Sequence, residues 1–281
     1  MLTENFDMNL LDFVPRVKRV ITNSCHKCAH NIDKERQRPC PACVIALYLM
    51  AIRNLVDDNK ELCADMERIM AYCRDTFKPI DVYNIQWTPG NSSQIEKDLW
   101  ARALMKMVEE CSSRNDYGSG LSECIRWLEE NESYVLGLVL WLFPQLATRN
   151  RIKLIEGITT GNRAWMWPDK MLFWIACIRE PNYDKEKAAN IQTQICNLQL
   201  DSGSFSTVED KARTGNLISS AIGLLALVSC VRYNDSKYNA GDAALITARW
   251  IVKNLHETHD IDETSRAWSL YALSEFINLS T

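Results

Sequence analysis

Glycine and proline are scarce: ten Gly and eight Pro stand among 281 residues. Each strand-to-strand connection consumes turn formers of this kind, so their scarcity argues against a β-rich chain and predicts an all-α fold. Long hydrophobic runs are missing as well. The stretch from Val135 to Phe143 stops at Pro144, and Leu217 to Val231 is broken by Ser219, Ser220 and Ser229. Both fall short of the roughly 20 apolar residues that a bilayer requires and are expected to be buried core helices. The N-terminus, Met1 to Asp7, is acidic and lacks an apolar signal core, which leads us to expect a soluble intracellular chain, cytoplasmic or nuclear. No P-loop, dinucleotide fingerprint or Ser-His-Asp pattern is present, and a non-enzymatic protein is expected.

Cysteine, by contrast, is plentiful, with eleven residues. Four form two Cys-x-x-Cys pairs separated by eleven residues, Cys25 with Cys28 and Cys40 with Cys43. Four thiolates in this order can close a tetrahedron around Zn²⁺, each pair acting as a clamp on a tight turn. A Cys₄ set leaves no open coordination position, so the expected metal is structural, a device for folding a segment too small to build its own core. His26 and His30 lie beside the set, and either is an alternative fourth ligand. The other seven, Cys63, Cys73, Cys111, Cys124, Cys177, Cys196 and Cys230, are widely spaced on apolar stripes. They read as buried thiols serving as small hydrophobes, and their odd total argues against a disulfide framework.

Charge is unevenly distributed. The first 56 residues carry eight Lys/Arg against five Asp/Glu, whereas the rest carries 24 against 31. Arg16, Lys18, Arg19, Lys34, Arg36 and Arg38 would surround the metal module with positive charge. Clustered cations of this kind suit phosphate, so RNA or DNA is the expected partner of the N-terminal segment.

Apolar spacing predicts helices over 8–22, with Pro15 in a first turn or at a kink, from Cys43 to about Leu55, and over 60–77. Two prolines, a Pro-Gly turn and several cap formers over 76–93 mark a connector between a module at 1–75 and a body at 94–281. Ser93 with Glu96 matches a capping box for the next helix, which runs to about Cys111. Eight further helices are expected: 121–131, 133–146, 151–158, 165–179, 183–200, 216–232, 240–255 and 262–279. Three of them carry similar apolar cores, Phe173–Ile178, Ala221–Leu227 and Ala267–Leu273. Their offsets are about 48 and 46 residues, with one helix between each, the period of a helical-hairpin repeat.

The connection Gln199-Leu200-Asp201-Ser202-Gly203-Ser204-Phe205 resembles the Q-x-x-D-G-S-[W/F] turn of the α/α-toroid families, the terpenoid cyclases and protein prenyltransferase β subunits. Asp262 to Trp268 enters its helix in a comparable way. Over about residues 160–279 the resemblance implies an array in which such turns join an outer to an inner helix. The families' Asp-x-Asp-Asp acid motif and Asp…Cys…His zinc set are absent, so Gln199 and Gly203 are expected to be structural, Gly203 by permitting φ > 0. His256 and His259 fall where a helix ends and fit a solvated terminus. Together these features predict a zinc-stabilised helical binding protein that meets nucleic acid through its N-terminal module and proteins, or its own copies, through its body. The alternatives are a protein adaptor with purely structural zinc, and a toroid-like enzyme or lipid binder with a deep aromatic-lined cavity.

Overall fold

A computed structural model describes residues 10–34, 41–55, 60–77, 91–108, 121–131, 133–159, 166–207, 214–233, 240–258 and 260–280. Among them are twelve α-helices and no strand: α1 (Leu10–Lys34), α2 (Ala42–Arg53), α3 (Lys60–Thr76), α4 (Ser92–Val108), α5 (Leu121–Glu130), α6 (Val135–Leu142), α7 (Arg149–Thr159), α8 (Trp167–Arg179), α9 (Lys185–Leu198), α10 (Leu217–Tyr233), α11 (Ala240–Glu257) and α12 (Glu263–Ser280). The fold is all-α, as the shortage of turn formers predicts.

The even-numbered helices form an inner ring: α2 packs on α4, α4 on α6, α6 on α8, α8 on α10, α10 on α12, and α12 back on α2. Composition accounts for this placement. α2 buries Val44 to Leu49 without a gap, α6 buries Val135 to Trp141, and α10 buries Ser219 to Cys230. A helix that is apolar on every side has no face to offer water and must be surrounded by others. The odd-numbered helices are amphipathic and lie outside. α3, for example, buries only Leu62, Asp65, Ile69 and Cys73, and α9 only Ala188, Ile191, Gln192 and Ile195. Each outer helix returns the chain, so the inner ones run parallel. Tyr48, midway along α2, donates to Glu263 at the start of α12 (3.1 Å), while Asn54 beyond the end of α2 donates to Ser274 and Glu275 near the end of α12 (both 2.9 Å).

Inside the ring, Trp100 of α4, Trp141 of α6, and Trp268 and Tyr271 of α12 meet in one aromatic cluster. The ring centroids of Trp141 and Trp268 are 5.1 Å apart, and those of Trp100 lie 6.0 and 5.8 Å from Trp141 and Trp268. The cluster joins inner helices that are not ring neighbours and fills the space between them. One hydrophobic core runs from Phe13 to Ile277, and α1 and α2 share it with α12.

The recurring helices Phe173–Ile178, Ala221–Leu227 and Ala267–Leu273 are α8, α10 and α12, three consecutive members of the ring, with α9 and α11 between them. Three local expectations need correction. α1 does not end near residue 22 but continues through both Cys25 and Cys28, so this pair lies on regular helix and not on a tight turn. Because α1 begins at Leu10, Pro15 falls beyond its first turn, on the exposed side. The cap of α4 is Asn91, whose Oδ1 accepts the Gln94 N–H (3.1 Å); Ser93 is already helical, which frees Glu96 for another role. Most of the connector at 76–93 lies outside the described residues.

Candidate functional site

The cysteine pairs separate on the helices that carry them. Cys25 and Cys28 sit three residues apart on the inward side of α1, Cys25 with no exposed surface and Cys28 half-buried. Burial, reinforced by the charge of Asp65, raises the Cys25 thiol far above its usual range, so the environment favours the protonated form. Asp65 itself is buried and holds His26, whose Nδ1 lies 3.0 Å from Oδ2. Cys43 occupies the first turn of α2, where burial raises its thiol, backbone N–H groups lower it and the Glu96 charge raises it again. Cys40 lies outside the described residues. Among the described residues no three His, Cys, Asp or Glu side chains come together as a metal set.

Of the other cysteines, Cys73, Cys124, Cys177 and Cys230 are buried and Cys63 and Cys196 half-buried, none in a disulfide; Cys111 lies outside the described residues. These positions match small apolar core residues. His256 is exposed at the end of α11, and His259 lies outside the described residues.

The predicted cationic residues partly converge. Arg16 and Arg19 are exposed on α1 and Lys18 is half-buried. Exposed Asn23, His26, Lys27 and His30 continue the same face, about 21 Å long from Arg16 to His30 at 1.5 Å per residue. From Phe13 to Ile32 the helix carries no Asp or Glu. Lys34 ends α1 with its side chain undescribed, and Arg36 and Arg38 lie outside the described residues.

The Gln199–Phe205 turn is built as a clamp between hairpins. Gln199 Nε2 donates to the Ala243 carbonyl (2.8 Å) and to Thr247 Oγ1 (2.7 Å) on α11. Gly203 has φ +87 and bonds back to the Leu200 carbonyl at 2.7 Å. The Phe205 N–H donates to the buried Ser220 hydroxyl at 2.9 Å, and its ring covers Gly223 so closely that a Cβ there would lie 2.4 Å from the ring. The turn therefore joins outer α9 to inner α10 and fixes both against α11.

A group of acids that sequence reasoning missed gathers where the inner helices begin. Glu96 and Asp98 lie in the second turn of α4, Asp169 in the first turn of α8, and Tyr134 just before α6. Parallel helices bring their positive ends together here, which favours carboxylates. Even so, burial pushes the Glu96 carboxyl up, opposed by a bond from the Trp100 indole N–H. Asp169 is pushed up to about 6, first by burial and then by Glu96. The available sequence signal is an acid within the first two turns of α4 and α8, each ahead of an apolar stretch. In the sequence Glu96 instead matches half of a capping box with Ser93.

Beside Glu96 opens a recess of about 720 Å³, walled by Cys43, Phe77, Trp100 and Ala101 and by the charged Glu96, Lys97 and Asp98. Asp98 is answered by Gln94, whose Nε2 donates to it at 2.7 Å, and by the charges of Arg102 and Lys97.

The Asp169 carboxyl gives a pH prediction. A carboxyl raised in the folded state holds its proton above the ordinary value near 3.8, so its contribution to stability is complete below that pH and is lost as pH rises through about 6. Asp169→Asn, which cannot ionise, is expected to be more stable than the parent by about 1–2 kcal/mol at pH 7.5, allowing for solvent screening. The difference should close by pH 4. Urea denaturation at the two pH values checks it, and a gap independent of pH contradicts it.

Comparison with protein families, with characterised proteins and with solved structures found no match to this chain. No described helix is long and apolar enough to cross a membrane.

Proposed function

We propose that the protein is a non-enzymatic helical binding protein that meets RNA or DNA along the outer face of α1. The observation that carries this reading is the stripe from Arg16 to His30, exposed, cationic and free of acidic residues along the helix. Phosphate backbones are held by such arrays without any need for base recognition. Lys18 and Lys34 on the same helix, with Arg36 and Arg38 beyond it, would extend the positive field. The parallel ring and the Gln199–Phe205 clamp support a toroid-like body as the scaffold that holds α1 rigid. That body is proposed to carry protein contacts or self-association, for which exposed Val231 and Tyr233 at the end of α10 are candidates.

Zinc belongs to this proposal through the spacing of Cys25, Cys28, Cys40 and Cys43. Binding it would require Cys25 and Cys28 to meet Cys43, which the described residues do not bring together as a set, and the thiols to give up their protons. Elemental analysis of purified protein tests it: about one zinc per chain supports the site, and its absence leaves nucleic-acid binding to the helical stripe alone.

The binding test is charge reversal. Arg16→Glu with Arg19→Glu is expected to weaken binding to a 20-nucleotide single-stranded RNA and to a 20-base-pair DNA duplex at least tenfold in 100 mM salt. The slope of log affinity against log salt should become shallower by about one unit per lost contact. Unchanged affinity and slope, measured by fluorescence anisotropy, would sink the reading.

A further inference from the structure

The recess beside α2 and α4 is separate from the α1 stripe and has a chemistry of its own. At about 720 Å³ it lies within the range of small-molecule sites, roughly 300–1,000 Å³. Phe77 and Trp100 give it aromatic walls, and Cys43 and Ala101 add apolar surface. Trp100 is braced from behind by Trp141 and Trp268, so that wall is rigid. Its two carboxylates differ. Asp98 is engaged by Gln94, Arg102 and Lys97, whereas Glu96 is half-buried and held by the Trp100 N–H. Asp169 and Tyr134 feel the negative charge of Glu96 and are not cations, and the one lining cation, Lys97, acts on Asp98, so the three charged lining groups sum to −1. The helix ends offset at most about half a charge each. A half-buried carboxylate beside aromatic and apolar surface is the complement of an ammonium group on an apolar body, the charge meeting the carboxylate and the body the apolar wall.

We propose that this recess binds a small organic cation, an ammonium group on an apolar body, with the Glu96 carboxylate facing the charge and the Phe77 and Trp100 rings against the apolar part. An anion would meet Glu96 and be repelled. A neutral analogue would keep the apolar contact and lose the charge recognition.

Titration of the full chain with benzylammonium, benzyl alcohol and benzoate at pH 7.5, followed by calorimetry and tryptophan fluorescence, tests the assignment. The ammonium is expected to bind at least tenfold more tightly than the alcohol, and benzoate more weakly still. Glu96→Gln should reduce the ammonium to the affinity of the alcohol and leave the alcohol unchanged. On protein that metal analysis shows to be free of zinc, benzylammonium should also slow alkylation of Cys43 by iodoacetamide, mapped by peptide mass spectrometry, which places the ligand in the recess without any variant. Equal binding of ammonium and alcohol, preference for benzoate, absence of binding, or an ammonium affinity indifferent to Glu96→Gln would overturn it. Should the variant fail to fold, the ligand comparison and Cys43 protection on the unaltered protein decide the matter.

Discussion

Trp268→Ala is expected to cost about 3–5 kcal/mol, enough to remove a large share of a stability that for domains of this kind totals about 5–15 kcal/mol. Only 6 % of Trp268 is exposed, and its indole contacts Trp100 and Trp141 from other helices of the ring. Deleting it removes the transfer free energy of a large side chain and leaves a cavity bounded by rings braced in several directions. Such a site collapses poorly, which places the cost toward the upper end. Trp141→Ala should behave alike, since Trp141 is 4 % exposed and also meets Tyr271. The two losses should not add, because each removes part of the other's contacts. Guanidinium denaturation of both single variants and the double variant checks this. A loss below about 1.5 kcal/mol for either single variant would mean that the aromatic cluster is loosely packed.

Gly203→Ala is expected to cost about 2–4 kcal/mol, from two sources that can be separated. At φ +87 any L side chain is strained, by about 1–3 kcal/mol. The added Cβ would also lie 2.5 Å from Ile246 Cγ2 and 3.0 Å from the Ile246 carbonyl oxygen. The side chain can swing aside because Ile246 is exposed, but the carbonyl belongs to α11 and cannot move alone. Ile246→Ala should therefore recover only a small part of the loss. Gly203→Asn, which tolerates positive φ but keeps the Cβ, should fall between Gly and Ala. Thermal unfolding of the four proteins separates strain from crowding, and full rescue by Ile246→Ala would show that crowding alone was at work.

These two sites differ in how far the sequence reveals them. The Gln199–Phe205 turn is legible because its requirements are local: a glycine where φ must be positive, and an aromatic residue at a fixed distance from it. The helices are legible for the same reason, since apolar periodicity and scarce turn formers act within each segment. The aromatic cluster was not legible. Nine Trp at helical spacing identify core positions, but only the closure of the ring shows that Trp100, Trp141 and Trp268 share one contact.

The cysteine spacing is legible in the sequence, whereas the packing of its first pair is not. Cys25 and Cys28 satisfy the arithmetic of a metal clamp, yet i and i+3 also share one face of a helix. With Val17, Ile21, Cys25 and Ala29 all buried on that face, the same thiol that suits a ligand completes an apolar stripe. Packing of α1 on α2 and α3 places Cys25 on that stripe, which the short motif does not reveal.

By itself, the sequence determined the helical class, nearly every helix, the repeat of α8, α10 and α12, the structural turn at Gly203 and the positive charge of α1, because each follows from propensity and periodicity within a segment. Tertiary structure alone decided which helices are inside, that the six inner ones are parallel, and that Glu96, Asp169 and Trp100 meet at one end. Those facts depend on contacts across tens to hundreds of residues, and the hydrophobic effect that selects them measures total buried area, which no local pattern records.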